Sequence, residues 1–289
     1  MNDQRILVLT DSGTDTPAAF AAEHDVRVVP LRINYSDGTS YESGVDITAS
    51  EVVRRFAQEI PKTSLPSPAR IREVINAAQK DGYERAVFVP ISSGLSATAE
   101  TVRLIARQMP DFPTIVTDTR SIGAAAGLCV MEAVRKIESG VPFERLADAM
   151  EQVARNTSVF FAVKNLKYLR AGGRISEALY RLGSVLSIKP VIKCDERDGH
   201  YVLAKKARGW ERALEAEVKL AVDKARAFDV VRLCVCCSDA TAMHFDQLER
   251  ELRERVSARI VEVVRSGISA DLLVHTGPDL VGVAVQGIS

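Results

Sequence analysis

The chain is 289 residues long, 46% hydrophobic, and carries 38 basic and 38 acidic residues. This length accommodates two domains, and the composition is ordinary for a globular protein with a sizeable core. A net charge of zero argues against the basic surface that binds nucleic acid, so we expect no nucleic-acid partner. We expect at most transient membrane contact, because no stretch approaches the roughly 18 apolar residues of a spanning helix.

The N-terminus and the cysteines indicate a cytoplasmic protein. The first apolar stretch, Ile6–Leu9, is too short for the apolar region of a signal peptide. Three of the five cysteines lie together at Cys234, Cys236 and Cys237. Neighbouring residues of a strand face opposite ways, so we predict a buried strand of reduced thiols here rather than a metal site.

Apolar, β-rich runs alternate with amphipathic helical stretches from the first residues onward. Asp37-Gly38 predicts a turn, and Ser67 and Pro68 predict the N-cap and first residue of a helix. Such alternation favours a largely parallel sheet with helices on both faces. The predicted elements are, in order, strand Arg5–Thr10, helix Thr16–His24, strand Val26–Tyr35, helix Thr48–Ile60, a helix from Pro68, strand Arg85–Ile91, helix Leu95–Met109, strand Thr114–Asp118, helix Ile122–Glu138, helix Pro142–Arg155 and strand Ser158–Val163.

The pattern changes near residue 165, where Gly172 and Gly173 end a short helix. We therefore predict two α/β domains, residues 1–165 and 166–289. The first has a mainly parallel sheet flanked by helices, and the second is a mixed α/β sandwich. The later predicted elements are a hairpin of Ser184–Cys194 and His200–Lys206, helix Trp210–Phe228, strand Val231–Cys237, helix Thr241–Val256, and strands Arg259–Val264 and Leu280–Gln286.

Ser92, Ser93 and Gly94 lie between a predicted strand and a predicted helix. Free N–H groups at a helix N-terminus favour a bound carboxylate or phosphate, the serines add hydroxyl donors, and the glycine allows close approach. The same residues could merely cap the helix. A catalytic serine would be a third role, but the G-x-S-x-G pattern is absent.

Other polar segments have two possible roles each. The segment Thr10–Asp15 could line a site at the end of the first strand, or its Asp15 could cap the following helix. Thr63 and Ser64 could offer a pair of hydroxyl groups from a proline-rich loop, or they could belong to an ordinary turn. His275 is a single histidine with no other histidine nearby in the sequence, so it could line a site or have only a structural role. We expect no cofactor and no metal, because nucleotide-binding and metal-ligating motifs are absent.

Seven segments occur in an order that resembles the DegV family over the whole chain. The resemblance implies a fatty-acid-binding protein, not itself an enzyme, of two α/β domains with the ligand between them. In several bacteria such proteins are the acyl-carrying subunit of a fatty-acid kinase, which phosphorylates the bound carboxylate with ATP. The segments are Thr-Asp-Ser near residue 10, Thr-Ser before Pro-Ser-Pro near 65, Ile-Ser-Ser-Gly-Leu-Ser near 92, Thr-Asp-Thr near 118, Leu-Arg-Ala-Gly-Gly-Arg-Ile-Ser near 172, Ser-Ile-Lys-Pro near 188 and His-Thr-Gly-Pro near 275.

The resemblance also implies roles for individual residues. Thr63 and Ser93 correspond to the carboxylate contacts, and Arg174 and His275 to nearby polar support. Arg208 corresponds to a basic position that faces the catalytic subunit of the kinase. Asp279 stands where the family usually has glycine, which would alter the role of His275 if its carboxylate pointed inward. The remaining predicted ligand contacts are neighbours in the same segments: Ser64, Ser92 and Gly94.

Two alternatives remain open. A serine hydrolase acting on acyl esters would use Ser93 as nucleophile and His275 as base, with Asp11 or Asp279 as the acid. A lipid-sensing interaction module would bind the same long-chain fatty acid but regulate a partner other than a kinase.

Overall fold

Three sheets and the helices that pack on them make up the described part of the computed structural model, residues 2–184 and 188–288. The strands are β1 (Ile6–Asp11), β2 (Arg27–Val29), β3 (Arg32–Asn34), β4 (Ser40–Glu42), β5 (Lys62–Ser64), β6 (Arg85–Val89), β7 (Thr114–Val116), β8 (Thr157–Val163), β9 (Ile188–Cys194), β10 (Tyr201–Arg208), β11 (Val230–Cys237), β12 (Arg259–Ser266) and β13 (Leu280–Gly287). The α-helices are α1 (Ala18–Glu23), α2 (Ala49–Arg55), α3 (Pro68–Lys80), α4 (Thr98–Arg107), α5 (Gly123–Glu138), α6 (Phe143–Arg155), α7 (Lys167–Ala171), α8 (Glu177–Ser184), α9 (Trp210–Ala225), α10 (Phe245–Arg255) and α11 (Ala270–Thr276).

The first sheet is parallel, with the strand order β2-β1-β6-β7. Alternate residues of β1 face opposite sides, so Ile6 and Val8 pack in a cluster with α5 and α6. Leu7 and Leu9 pack in the opposite cluster, with α3 and α4. Both faces are buried beneath helices, as an all-parallel sheet requires. This arrangement confirms the predicted first α/β unit.

The second sheet is mixed, with the strand order β10-β9-β8-β13-β11-β12. Only the β11–β12 pair is parallel among the pairings of this sheet in the described residues. Helices α9 and α10 cover one face, where Leu214 and Leu248 are buried. The predicted hairpin is confirmed, because β9 and β10 pair antiparallel with Cys194 opposite Tyr201. The predicted mixed α/β architecture of this half is therefore confirmed.

The cysteine-rich segment is a buried strand, as predicted. Cys234, Cys236 and Cys237 lie in β11 as free thiols. Cys234 and Cys236 face the cluster between the two sheets, and Cys237 faces the helices α9 and α10. Burial raises the pKa of all three thiols, so they are protonated at neutral pH.

An apolar cluster joins the two halves, and part of α5 contributes to it. This helix contacts β1 and β6 of the first sheet and β8, β11 and β13 of the second. Strand β8 ends at Val163 yet pairs with β9 and β13, so it belongs to the second sheet. The division at residue 165 stays a prediction, and sheet membership assigns β8 to the C-terminal half.

The predicted single strand Val26–Tyr35 is wrong, because the chain there forms two strands in different sheets. Strand β2 extends the first sheet, and β3 lies in a three-stranded antiparallel sheet of order β4-β3-β5. Pro30 lies at the break and lacks the N–H group that would continue a ladder. The predicted loop at Lys62–Ser64 is also a strand, β5, with Thr63 opposite Ile33.

Several helix boundaries also differ from the predictions. Helix α4 begins at Thr98 rather than Leu95, because Leu95 and Ser96 form turns back to the carbonyl of Ser92. Helix α1 begins at Ala18, and a 3-10 turn at Asp239–His244 precedes α10. The helices α8 and α11 were not predicted. The predicted strand Ser184–Cys194 begins at Ile188, Ser184 ends α8, and residues 185–187 lie outside the described residues.

Candidate functional site

A cavity of about 440 Å³ lies between the two halves of the protein. Its volume is within the range of small-molecule sites, roughly 300–1,000 Å³. The wall combines seven apolar side chains with nine polar ones. The apolar residues of the wall are Leu31, Leu65, Ile91, Leu95, Ala97, Ile122 and Leu272, and the polar residues are Thr63, Ser64, Ser93, Ser96, Arg174, Tyr201, Asp271, His275 and Thr276.

Thr63 and His275, which are 212 positions apart in sequence, meet in this wall. Strand β5 carries Thr63 and helix α11 carries His275, and Thr63 Oγ1 lies 2.7 Å from Nε2 of the imidazole. Burial, reinforced by the charge of Arg174, lowers the pKa of His275 from 6.5 to about 3. The imidazole is therefore neutral at physiological pH, and one of its nitrogens is a hydrogen-bond donor.

Gly172, the C-cap residue that follows α7, lies directly against the His275 ring. A methyl group at this position would be 2.1 Å from Nδ1 of His275 and 2.8 Å from Cε1. Nδ1 is buried and has no hydrogen-bond partner among the described residues. The glycine at the end of α7, which the sequence suggested only as a helix stop, thus provides the space that the imidazole occupies.

Arg174 brings an uncompensated positive charge to the cavity. Its guanidinium donates hydrogen bonds to the carbonyls of Gly172 and Leu95, and it forms no ion pair within the described residues. Burial lowers the pKa of Arg174, because desolvation disfavours the charged form. An arginine side chain remains charged at neutral pH, so its preferred partner is an anion.

Ser93 lies at the exposed edge of the cavity and is bonded to a carboxylate that the sequence did not assign to the site. Its hydroxyl donates to Asp118 Oδ2, and its backbone N–H lies 3.2 Å from Asp118 Oδ1. Asp118 follows β7, the strand beside β6, so both residues leave the first sheet at the same edge. The signal was available, because carboxyl ends of neighbouring parallel strands lie together.

Of the three other predicted ligand contacts, Ser64, Ser92 and Gly94, only Ser64 lies in the cavity wall formed by the described residues. Ser64 lines the cavity, and its Oγ accepts a hydrogen bond from Asn34 Nδ2 at 3.0 Å. Ser92 and Gly94 are not part of the cavity wall as formed by the described residues. Ser92 donates to the carbonyl of Gly199, and a methyl group on Gly94 would be 2.3 Å from the Asp198 carbonyl oxygen. These two residues hold the β9–β10 loop against the first half of the protein.

The arrangement that the hydrolase alternative requires is not assembled in the described residues. The hydroxyl of Ser93 is bonded to Asp118, and Nε2 of His275 is bonded to Thr63. Asp11 accepts from the backbone N–H groups after β1 and β6, and Asp279 pairs with Lys164 at 3.5 Å. Asp279 therefore does not alter the environment of His275.

Two acidic residues have positions that the sequence did not reveal. Asp15 does not cap α1, because its Oδ1 accepts from the backbone N–H of Ser269, at the start of α11. The capping interpretation is therefore wrong, and Asp15 instead connects the two halves. Asp271, in the first turn of α11, is 1% exposed and forms part of the cavity wall.

Arg208 is the last residue of β10, opposite Ile188. Its side chain is exposed, as predicted for a residue at a strand end. It is not among the residues that line the cavity. Its role toward a partner stays a prediction.

The described residues lack two other features that could indicate a function. No group of three or more histidine, cysteine, aspartate or glutamate side chains is arranged to hold a metal ion. Among the same residues, none of the helices combines the length and hydrophobicity needed to cross a bilayer.

Comparisons with known proteins agree with this architecture. A family model described as an uncharacterised protein of the DegV family matches residues 5–287. A DegV domain-containing protein of Clostridium acetobutylicum is 31% identical over 288 residues, 98% of this chain and 99% of the relative.

Two solved structures share the fold over nearly the whole chain. One, described as showing fatty acid binding of a DegV family protein from Thermus thermophilus, has 30% identity and a TM-score of 0.88, covering 98% of this chain and 100% of its own. A fatty-acid (stearic acid)-binding protein from Eubacterium ventriosum has 25% identity and a TM-score of 0.86, with 97% of each chain covered. The protein described here therefore belongs to the DegV family.

Proposed function

We propose that the cavity binds one long-chain fatty acid, with its carboxylate at Thr63, His275 and Arg174. The observation that carries this proposal is the guanidinium of Arg174, which has no ion pair within the described residues, beside the Thr63–His275 pair in a wall that also contains seven apolar side chains. A carboxylate supplies the missing anion, and its acyl tail matches the apolar part of the wall. The related structures from Thermus thermophilus and Eubacterium ventriosum, both described as fatty-acid binding, support the assignment.

The neutral imidazole of His275 determines how Thr63 can act. If Nε2 carries the proton, it donates to Thr63 Oγ1, and the threonine hydroxyl is then free to donate to the ligand. A carboxylate accepts such bonds and cannot donate them, so this tautomer is the one that suits a fatty acid. Ser93, which now donates to Asp118, can reach the ligand only by rotating away from that carboxylate.

The acyl tail supplies most of the affinity in this proposal. A sixteen-carbon chain, when fully buried, contributes about 12 kcal/mol at roughly 0.8 kcal/mol per methylene group. Association and ordering offset much of this gain. A small hollow of about 20 Å³ adjoins the cavity, and the two share Ile122, Tyr201, Leu272 and Thr276. We place the tail along this direction, where Val159 and Phe161 line the hollow.

We further propose that the protein presents the bound carboxylate to a fatty-acid kinase, as the family resemblance implies. A carboxylate oxygen would attack the γ-phosphorus of ATP, the bond to the ADP oxygen would break, and acyl phosphate and ADP would form. The catalytic subunit supplies the phosphoryl-transfer machinery, and this chain supplies the acyl group. Because ATP is the phosphoryl donor, we place this function in the cytoplasm. The exposed Arg208 is our candidate for the surface that the kinase recognises.

Native mass spectrometry of the purified protein, followed by denaturation and lipid identification, tests the proposed ligand. We expect one free fatty acid per chain. Delipidated protein should then be stabilised by palmitate or oleate, by about 2.7 kcal/mol at a hundredfold excess over the Kd. No co-purified fatty acid together with no stabilisation would overturn the proposal.

The kinase step has a separate test. Adding a fatty-acid kinase catalytic subunit and ATP to the loaded protein should produce acyl phosphate, which hydroxylamine converts to a hydroxamate. Loaded protein that binds fatty acid normally but never yields acyl phosphate would favour the lipid-sensing alternative.

A further inference from the structure

Asp118 holds the hydroxyl group of Ser93 at the edge of the proposed fatty-acid cavity. Ser93 Oγ donates to Asp118 Oδ2, and the backbone N–H of Ser93 donates to Asp118 Oδ1 at 3.2 Å. The backbone N–H of Arg120 donates to the same Oδ1 at 2.9 Å. Ser93 lines the cavity, whereas Asp118 is not among the described residues of its wall. A residue outside the wall thus engages a hydroxyl group that lies in it.

The hydroxyl of Ser93 has only one hydrogen to donate, and an ionised carboxylate has none. Ser93 can therefore donate to Asp118 or to the carboxylate of a ligand, but not fully to both. When a ligand takes this hydrogen, one bond to a charged acceptor replaces another, so the exchange adds little to the affinity. Asp118 thus competes with an anionic ligand for Ser93.

We propose that Asp118 sets how tightly the fatty-acid carboxylate is held, by competing with it for the hydroxyl of Ser93. The inference rests on the proposed function, because it requires a carboxylate within reach of Ser93 in the cavity that Thr63 and Arg174 also line. Ser93 donates to the ligand in the loaded protein and to Asp118 in the empty one. Because the hydroxyl keeps a partner when the ligand leaves, the exchange of fatty acid is favoured. Asp118 is a positioning residue, which acts on the ligand through Ser93.

The two oxygens of Asp118 have different partners, which makes the competition testable with an isosteric change. Oδ1 accepts two backbone N–H groups, those of Ser93 and Arg120, whereas the partner of Oδ2 is the Ser93 hydroxyl. In Asp118→Asn the amide oxygen can keep both backbone bonds, so the amide nitrogen faces Ser93 Oγ. An amide nitrogen donates and does not accept. The serine oxygen then accepts that bond, and its hydrogen is free for the ligand.

The test is a double-mutant cycle on delipidated protein. It measures the palmitate Kd and dissociation rate of the parent, Asp118→Asn, Ser93→Ala and the double variant, with the melting temperature of each unliganded protein. We expect Asp118→Asn to bind palmitate about tenfold more tightly than the parent and to release it more slowly, because one bond to a charged group is gained. Ser93→Ala should cost about tenfold more affinity in the Asp118→Asn protein than in the parent, so the gain vanishes in the double variant.

Asp198→Asn is the matched control for the loss of one negative charge. Asp198 is exposed, and its Oδ1 accepts the backbone N–H of His200, two residues further on, at 3.0 Å, as Asp118 does with Arg120. Asp198 is not among the residues that line the cavity, so this variant should bind palmitate like the parent.

Two results would overturn the inference and leave fatty-acid binding standing. One is palmitate binding by a folded Asp118→Asn protein that is unchanged or weaker than that of the parent. The other is a gain that persists in the double variant, because the loss of charge alone would then explain it. A parent protein that does not bind palmitate would contradict the proposed function itself.

Discussion

The position of the imidazole can be tested by adding one methyl group, in Gly172→Ala. The new carbon would lie 2.1 Å from Nδ1 of His275, whereas ordinary contacts begin near 3.4 Å. The ring must therefore move by about 1.3 Å, which disrupts the 2.7 Å contact between Nε2 and Thr63 Oγ1. A hydrogen bond of this kind contributes about 0.5–1.5 kcal/mol, which corresponds to an affinity loss of roughly two- to tenfold.

The assay is displacement of a fluorescent fatty acid by palmitate, with the melting temperature of the unliganded protein measured in parallel. Gly267→Ala is the matched control, because a methyl group there meets open space and the backbone is not left-handed. The control should bind like the parent. A folded Gly172→Ala variant with unchanged palmitate affinity would refute the assignment of the Thr63–His275 pair to the carboxylate site.

Three further predictions concern stability and partner recognition. Burial raises the pKa of Glu217, whose oxygens have no hydrogen-bond partner among the described residues. The fold therefore favours the protonated form, and the free energy of unfolding falls as the pH rises above 4.5, where the unfolded chain releases this proton. Glu217→Gln should therefore raise the melting temperature more at pH 8 than at pH 5, and an equal effect at both would contradict this. Gly199→Ala should lower stability, because its methyl group would lie 1.9 Å from Ser92 Oγ at a backbone φ of +70°, yet palmitate affinity of the folded protein should persist. Arg208→Glu should leave lipid affinity intact but slow acyl phosphate formation, whereas Arg107→Ala, the control at another exposed arginine, should not slow it. A loss of lipid affinity in Arg208→Glu would place Arg208 in the pocket.

Local patterns predicted those parts of the fold that local interactions determine. Ser67 caps α3 and Pro68 begins it, as their sequence position indicated. The strand–helix alternation and the hairpin of β9 and β10 were likewise predicted correctly. Strand β5 was missed because its three residues, Lys62, Thr63 and Ser64, show no alternation of apolar and polar side chains. Only the pairing of Thr63 with Ile33 identifies the segment as a strand.

The site was predicted through the family resemblance rather than through local physics. Nothing in the segments around Thr63 and His275 indicates that they form a hydrogen bond, because the chain between them must fold first. The buried Asp271 was missed for the same reason, because its position depends on which helix faces meet. Asp118, the partner of Ser93, could have been found, since it follows the strand beside β6 and the carboxyl ends of neighbouring parallel strands lie together.

The central claim is that the cavity recognises a carboxylate through Thr63 and Arg174. The most direct measurement is the palmitate Kd of delipidated parent, Thr63→Val, Arg174→Gln and the double variant, with 1-hexadecanol as the uncharged analogue. Each single variant should lose about ten- to a hundredfold in palmitate affinity, at about 1.5–3 kcal/mol per bond to a charged group, with a smaller loss for hexadecanol. Palmitate affinities that remain at the parent level in both single variants would show that the carboxylate lies elsewhere.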